Sequence, residues 1–165
     1  MRSGVPDAED APPRSGVRLG VDWGKARIGV AACDAEGVLA YPVETIPQGE
    51  AALTRLAALV GEYGATEVVL GWPTDLRGRA GVAATAMSGI PARLAQVTGV
   101  PVRLLDERMT TVVAARQLAS AGRTGSGRRA IIDQAAAVAI LRQALDIERH
   151  TGRPAGHIVT AGEET

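Results

Sequence analysis

The sequence predicts a single α/β domain built on a five-stranded mixed sheet, in which three antiparallel strands are followed by parallel ones and helices flank the faces. The chain has 165 residues, 46% of them hydrophobic, and a formal net charge of zero, which suits one domain with its own core. Apolar residues alternate early in the chain and later recur at helical spacing. The resulting element order, βββαβαβαα, places helical crossovers between the later strands.

The first half of the domain supplies the antiparallel strands. Turn residues separate three segments with strand patterning, and leucines at helical spacing then predict a helix. Pro42 favours an edge position for the third strand, because proline has no N–H to donate. The predicted elements are the strands Val17–Asp22, Ile28–Cys33 and Val38–Thr45 and the helix Glu50–Tyr63.

The second half alternates strands and helices. Its first strand is short and apolar, as is typical of a central parallel strand, and a glycine-rich segment at 121–127 separates its last two helices. The predicted elements are the strands Glu67–Gly71 and Val100–Leu105 and the helices Arg79–Thr98, Thr110–Ala119 and Arg128–Arg149. Gly89–Ile90–Pro91 is a candidate interruption of the first of these helices. Residues 1–16 and 150–165 lack periodicity, so we expect a domain at 17–149 between two unstructured tails.

Composition excludes several classes of protein. A lone cysteine, Cys33, excludes an intramolecular disulfide framework and a multi-cysteine zinc site. Four aromatic residues without a phenylalanine disfavour a base-stacking platform for single-stranded nucleic acid. No apolar run approaches the roughly 18–20 residues that span a bilayer, and the first residues lack a signal-peptide core. We therefore expect a cytoplasmic protein with no membrane partner.

Charge is unevenly divided along the chain. Between Leu76 and Gln134 nine arginines stand against three acidic residues. Arginine binds phosphate in a forked geometry, so this half could attract a polyanion. A solvated helical surface explains the same pattern equally well.

Three acidic positions suggest a site. Asp22 ends the first strand before a glycine-containing turn, and Asp106 and Glu107 end the fifth. Such strand ends form the ligand crevice of open α/β sheets, although acids there also cap turns and helices. Alternation sends Asp106 and Glu107 to opposite faces, and we favour Glu107 for the site and Asp106 for local bracing. Asp133 lies on the apolar stripe of the last helix, where a carboxylate needs a cation.

A salt bridge to Arg129, one turn earlier, is the structural alternative for Asp133. If the three carboxylates instead converge, each pair repels by roughly 3 kcal/mol at about 5 Å and an effective dielectric near 20. The cluster must then take up protons or bind cations. Oxygen ligands on an open edge favour Mg²⁺ or Mn²⁺, and two such ions about 4 Å apart would carry out in-line phosphodiester hydrolysis.

The acidic motifs and their surroundings resemble the YqgF/RuvX family over roughly residues 17–146. The matching segments are Gly20–Gly24, Arg27–Ala31, Gly71–Pro73 with Gly78, Asp106–Thr111 and Ile132–Leu141. The resemblance implies an RNase H-like fold and a nuclease of pre-16S rRNA 5′-end maturation, a family also described as a Holliday junction resolvase. Its acidic positions correspond to Asp22, Glu107 and Asp133. Trp72 departs from the smaller aliphatic residue usual in the family and could cover the site or touch substrate.

We therefore expect a metal-dependent nuclease, with Asp22, Glu107 and Asp133 as catalytic residues and metal ligands. The substrate is structured pre-rRNA or branched DNA, and the sequence leaves that choice, the ion and the oligomeric state (monomer or homodimer) open. A non-catalytic nucleic-acid-binding factor is a rival from another class. A nucleotide-binding ATPase is disfavoured because 165 residues provide no second lobe. The residues expected to contact nucleic acid are Lys25, Arg27, Arg108, Arg123, Arg128 and Arg129.

Overall fold

The fold is seen in a computed structural model that describes residues 15–73, 87–107, 112–121 and 126–162. Its strands are β1 (Arg18–Trp23), β2 (Arg27–Cys33), β3 (Ala40–Pro47), β4 (Glu67–Trp72), β5 (Val102–Asp106) and β6 (His157–Val159). Its helices are α1 (Ala52–Tyr63), α2 (Ile90–Thr98), α3 (Val112–Ser120) and α4 (Ser126–Thr151). None of the helices in these described ranges is long and apolar enough to cross a membrane.

The sheet is mixed, as predicted, but has six strands in the order β3-β2-β1-β4-β5-β6. β1, β2 and β3 pair antiparallel, β1, β4 and β5 pair parallel, and β6 adds an antiparallel strand beyond β5. Pro42 lies in β3, at an edge of the sheet as expected. The carboxyl ends of β1, β4 and β5 meet at one border, where open α/β sheets bind their ligands.

The prediction of an unstructured second tail at 150–165 is wrong for residues 157–159. α4 continues to Thr151, and the chain then returns to form β6 against β5. Arg103 holds this return by donating through Nη1 to the carbonyl of Ala155 at 3.0 Å. Gly156 has a positive φ of 68° and packs on the carbonyl of Leu104, where a side chain would clash. A three-residue strand is too short to reveal itself by alternation.

Other boundaries differ by a few residues, for local reasons. β3 begins at Ala40 because the Asp34 carboxylate accepts the N–H groups of Val38 and Leu39, both at 2.8 Å, which lengthens the turn. α2 begins at Ile90, after Gly89 with a φ of 83°, so the predicted helix at 79–98 is confirmed for residues 90–98 and is interrupted where Gly89 suggested. Residues 87–89 form a turn, and residues 79–86, the tail at 1–14 and residues 122–125 of the glycine-rich segment lie outside the described residues.

Helices cover the sheet on two faces, which we call the α1 face and the α4 face. On the α1 face, α1 and α2 pack on large aliphatic side chains of the strands, among them Leu19, Val21, Ile28, Val30, Val68 and Leu70. On the α4 face, α4 crosses β1 to β4 and α3 packs against α4. The strand positions beneath α4 include Arg18, Gly20, Asp22, Gly29, Ala31, Val69, Gly71 and Leu105. The predicted acidic site lies on this second face.

Candidate active site on the α4 face

Asp22 is the acidic residue of β1 and is buried, with 5% of its surface exposed. Its direction follows from Gly20, two residues earlier on the same face, which packs against Ala137 and Leu141 of α4. Asp22 therefore points towards α4, next to the end of β1. Its partner in the antiparallel pairing is Gly29 of β2.

Asp133 lies about two turns into α4, directly above that glycine. A β-carbon at position 29 would overlap the main-chain carbonyl of Asp133. Only a residue without a side chain lets the helix backbone come this close to the sheet. Because Gly29 is the cross-strand partner of Asp22, the close approach brings Asp133 beside Asp22.

The carboxylate of Asp133 forms an ion pair with the side chain of Arg27. Arg27 donates through Nε to Oδ2 at 2.8 Å, and the side chains of Arg27 and Asp133 are 35% and 17% exposed. An ion pair was the structural alternative for Asp133, but Arg129 is not the partner: it is exposed near the start of α4. Arg27, which is also predicted to contact nucleic acid, thus pairs with a predicted metal ligand.

Glu107 follows β5 and extends over the neighbouring strand. Its Oε1 lies 2.9 Å from the point where a β-carbon on Gly71 would stand, so this glycine leaves room for the carboxylate. Gly71 belongs to β4, which pairs with β1. Asp106 is in register with Trp72, and Trp72 packs against the core of the α1 face. Glu107 and not Asp106 therefore reaches the side of the sheet that holds Asp22.

The orientation of Trp72 corrects one expectation. Its ring is part of the apolar packing under α1 and α2, whereas Asp22, Asp133 and the Glu107 carboxylate lie on the α4 face. Trp72 is therefore not a cover for the acidic site.

The three carboxylates are suitable ligands for a divalent cation and lie on the same face of the sheet. They are not close enough together in this structure to bind one ion jointly. Carboxylate oxygens are the ligands that Mg²⁺ and Mn²⁺ prefer, and all three occur on one face near one border of the sheet. Within the described ranges, however, no group of three or more His, Cys, Asp or Glu side chains is close enough together to hold a metal ion. Arg27 also engages one oxygen of Asp133. A cation at Asp133 would share this carboxylate with the guanidinium or replace it.

The basic residues predicted to contact nucleic acid have different surroundings. Lys25 is exposed on the β1–β2 turn, and Arg129 is exposed on α4. The side chain of Arg128 and all of Arg108 and Arg123 lie outside the part of the chain that the structure describes. Arg103 belongs to the arginine-rich half but is buried, and it binds Glu67 through Nε and Nη2 at 2.9 and 3.1 Å. It is unavailable to an external phosphate.

Several polar contacts brace the site and were not predicted. The hydroxyl of Thr45 in β3 donates to the carbonyl of Ala130 at 3.0 Å, and Gln134 donates through Nε2 to the same hydroxyl at 3.0 Å. Gln48 donates through Nε2 to the carbonyl of Gly24 at 2.7 Å. These bonds fix α4 on β3 and the turn that carries Arg27. They join residues up to 89 positions apart, so no local pattern in one sequence could reveal them.

Comparison with solved structures defines the class of fold. A Thermus thermophilus RuvC in complex with a Holliday junction substrate is similar with a TM-score of 0.53 and 15% sequence identity, covering 84% of this chain and 98% of that one. A second T. thermophilus RuvC structure gives a TM-score of 0.50 at 19% identity, covering 84% and 99%. The RNase H-like α/β fold expected from the sequence motifs is thereby confirmed.

Sequence comparison defines the family. Residues 16–147 match the profile of RuvX, described as a Holliday junction resolvase, and the chain belongs to this family. A protein of Nocardioides sp. is 53% identical over 158 residues, covering 92% of this chain and 99% of the relative. One of Streptomyces coelicolor is 52% identical over 154 residues, covering 91% and 92%. Both bear the name "Putative pre-16S rRNA nuclease".

Proposed function

We propose that this chain is a metal-dependent nuclease that hydrolyses phosphodiester bonds in the 5′-end processing of pre-16S rRNA. The observation that carries the proposal is the placement of Asp22, Asp133 and the Glu107 carboxylate on one face of the sheet, beside the carboxyl ends of its parallel strands. Membership of the RuvX family and the names of the relatives agree with it. The cytoplasm, where ribosomes are assembled, is its proposed location.

In this proposal Asp22, Glu107 and Asp133 are both the metal ligands and the catalytic residues. The proposed cofactor is Mg²⁺ or Mn²⁺, most simply as two ions. One ion would activate the attacking water, and the other would stabilise the leaving oxygen. Asp22 is fixed by burial in β1 and Asp133 by the contact of α4 with Gly29, so their carboxylates are preorganised by rigid elements. Glu107 follows β5, and its carboxylate reaches over Gly71 of the neighbouring strand.

The exposed cations beside these acids would hold the substrate. Lys25 on the β1–β2 turn and Arg129 on α4 flank the acidic positions in the chain and are open to solvent. Phosphate contacts position a nucleic acid without reading its bases, and they make binding fall steeply with salt. Arg27, Arg108, Arg123 and Arg128 complete the proposed set of contacts.

A metal-linked stability measurement tests the site. An ion that binds only the folded state raises the melting temperature, so 5 mM Mn²⁺ should stabilise the wild type and stabilise Asp133→Asn much less. Asp146→Asn is the matched control, because Asp146 lies on the exposed side of α4 in a pair with Arg149. Equal shifts for the wild type and Asp133→Asn would exclude Asp133 as a ligand.

A cleavage assay separates the nuclease from a binding factor. Asp22→Asn should abolish cleavage of a pre-16S rRNA 5′-leader substrate while leaving its affinity within about threefold of the wild type. Retained cleavage in this variant would exclude Asp22 from the chemistry. A wild-type protein that binds the leader and cuts nothing would favour a non-catalytic role.

Branched DNA is the alternative substrate. It is favoured by the description of the family as a Holliday junction resolvase and by the similarity of the fold to a RuvC solved with a junction. A four-way junction and the leader duplex, compared at equal concentration, give the answer directly. Preference for the junction by more than tenfold would replace the rRNA proposal with a resolvase.

A further inference from the structure

The ion pair between Arg27 and Asp133 differs from the other internal ion pairs on the α4 face. Arg103 binds Glu67 through two nitrogens and the Ala155 carbonyl through a third, and the two side chains are 9% and 4% exposed. Arg27 uses Nε alone, and its side chain is 35% exposed. Both are arginine–carboxylate ion pairs, but the Arg103–Glu67 pair is enclosed by the protein and the Arg27–Asp133 pair is partly exposed to solvent.

The remaining donors of Arg27 are available. Among the residues that the structure describes, its Nη groups make no hydrogen bond, so they can still bind a phosphate in a forked geometry. The backbone at its base is held, because Gly24 donates its N–H to the carbonyl of Arg27 at 3.0 Å and Gln48 donates its N–H to that of Ala26 at 3.0 Å. Rotation of the side chain alone would therefore move the guanidinium.

The carboxylate of Asp133 needs a positive charge whether or not a metal is present. It is only 17% exposed, and the main chain of Asp133 lies over Gly29, the cross-strand partner of buried Asp22. Leaving such a carboxylate unpaired is costly. Arg27 supplies this charge at Oδ2, one of the two carboxylate oxygens of Asp133.

We propose that Arg27 is a displaceable internal counter-ion: it occupies the cation position at Asp133 when no metal is bound and turns to a substrate phosphate when a metal takes its place. The inference rests on the proposed function, since it assumes that Asp133 is a metal ligand. It makes Arg27 a positioning residue that couples two binding events. When a metal binds Asp133, the Arg27 guanidinium becomes free to bind nucleic acid. When nucleic acid holds the guanidinium away from Asp133, the metal meets less competition there. Each ligand therefore raises the affinity of the protein for the other.

The first test is Mn²⁺ binding by calorimetry without nucleic acid. Removing a competing partly exposed ion pair should tighten Mn²⁺ binding to Arg27→Gln about three- to tenfold. Lys25→Gln, which removes one positive charge from the same turn, is the matched control and should change the dissociation constant by less than about twofold. Arg27→Lys keeps the charge and should lie between the wild type and Arg27→Gln, which covers the case in which the glutamine variant does not fold. Unchanged or weaker Mn²⁺ binding in the folded variants would overturn the inference.

The second test is coupling, measured by fluorescence anisotropy of a labelled RNA duplex in Mn²⁺ and in EDTA. The gain in affinity on adding Mn²⁺ should be at least threefold smaller in Arg27→Gln than in the wild type. Lys25→Gln should bind the duplex more weakly in both buffers and keep the gain. An equal gain in Arg27→Gln and the wild type would show that Arg27 carries no coupling.

The two readouts separate this inference from the proposed function. If the Mn²⁺ affinity changes as expected and the wild type cleaves no substrate, the counter-ion role stands and the nuclease proposal fails. If the wild type cleaves and Arg27→Gln binds Mn²⁺ as the wild type does, the nuclease proposal stands and Arg27 is a permanent structural partner of Asp133.

Discussion

The two faces of the sheet are built from different materials. Large aliphatic side chains fill the α1 face. The α4 face uses glycine in the strands and Ala136 and Ala137 in the helix, so that the backbone of α4 approaches the strands directly. Among the described residues, the four buried polar or charged side chains all occupy strand positions of the α4 face: they are Arg18, Asp22, Glu67 and Arg103.

This difference shows how the fold accommodates charge. On the α4 face, Arg18 donates to Glu148 of the helix at 2.7 Å, and Arg103 pairs with Glu67 of the neighbouring strand. Among the described residues, the α1 face holds no buried charged side chain. The candidate site therefore lies on the face that already buries charge, while both faces contribute apolar burial to folding.

The largest expected effect comes from breaking a buried pair on the α4 face. Arg103→Met leaves the Glu67 carboxylate uncompensated and the Ala155 carbonyl without its donor. We expect a loss of about 3–5 kcal/mol in the free energy of unfolding, measured in urea. Arg149→Met, which breaks an exposed pair with Asp146 on the same helix, should cost at most about 1 kcal/mol. Similar losses would remove the distinction between enclosed and exposed pairs.

The next effect concerns the apolar face. Leu56 of α1 is fully buried, and Leu56→Ala should cost about 3 kcal/mol, within the usual range for a leucine cavity. Because this cavity lies across the sheet from the acids, the Mn²⁺ affinity of the folded variant should match that of the wild type. A large change in affinity would mean that the two faces are not independent.

A smaller loss of stability is expected where α4 meets the sheet. Gly29→Ala forces a methyl group against the main chain of Asp133, and overpacking of this kind costs about 1–3 kcal/mol. It should also weaken Mn²⁺ binding, because the helix must move away from Asp22. The control is Gly61→Ala on α1, where a β-carbon meets nothing within 4 Å and helix propensity should add about 0.5–1 kcal/mol. Unchanged stability in Gly29→Ala would show that α4 shifts at no cost.

The smallest effect on stability is expected at the partly exposed ion pair between Arg55 of α1 and Glu44 of β3. Arg55 forms a forked pair with Glu44 at 2.8 and 2.7 Å, and this hydrogen bonding holds the pKa of Glu44 below its usual value. The folded pKa is depressed, so the stabilisation is present above the ordinary glutamate pKa of about 4.3 and is lost as pH falls through the folded value. Glu44→Gln should therefore make thermal stability fall less steeply below about pH 5. Identical acid profiles would show that the pair adds no stability.

The sequence predicted the elements that have strong periodicity and missed those that depend on distant partners. The strands β1 to β5 and the four helices follow from alternation and helical spacing, and Pro42 correctly indicated an edge. β6 was missed because three residues carry no pattern and its pairing depends on Arg103 and Gly156.

Sequence reasoning selected the acidic residues of the candidate site, whose roles stay a prediction, but could not select their contacts. Asp22 and Glu107 were found because they end strands, and Asp133 because a carboxylate stood out on an apolar helix stripe. The ion-pair partner of Asp133 was not predicted, because Arg27 is 106 positions away in the chain. The two residues come close only through the packing of α4 on Gly29. The face that Trp72 occupies was likewise not evident from the sequence, because it follows from the pairing of β4 with β5 and from the packing under the helices of the α1 face.

The borders of the sheet affect how this protein can associate with other chains. On one side β3 has a proline that offers no donor and an irregular register opposite Val30 and Ala31. On the other side β6 has only three residues. Within the described ranges, neither border presents a long, regular row of free peptide groups, so an incoming strand from a partially unfolded neighbour would find little to pair with. Such ends should protect the folded protein from aggregating through its strands, even at the concentrations reached during overexpression.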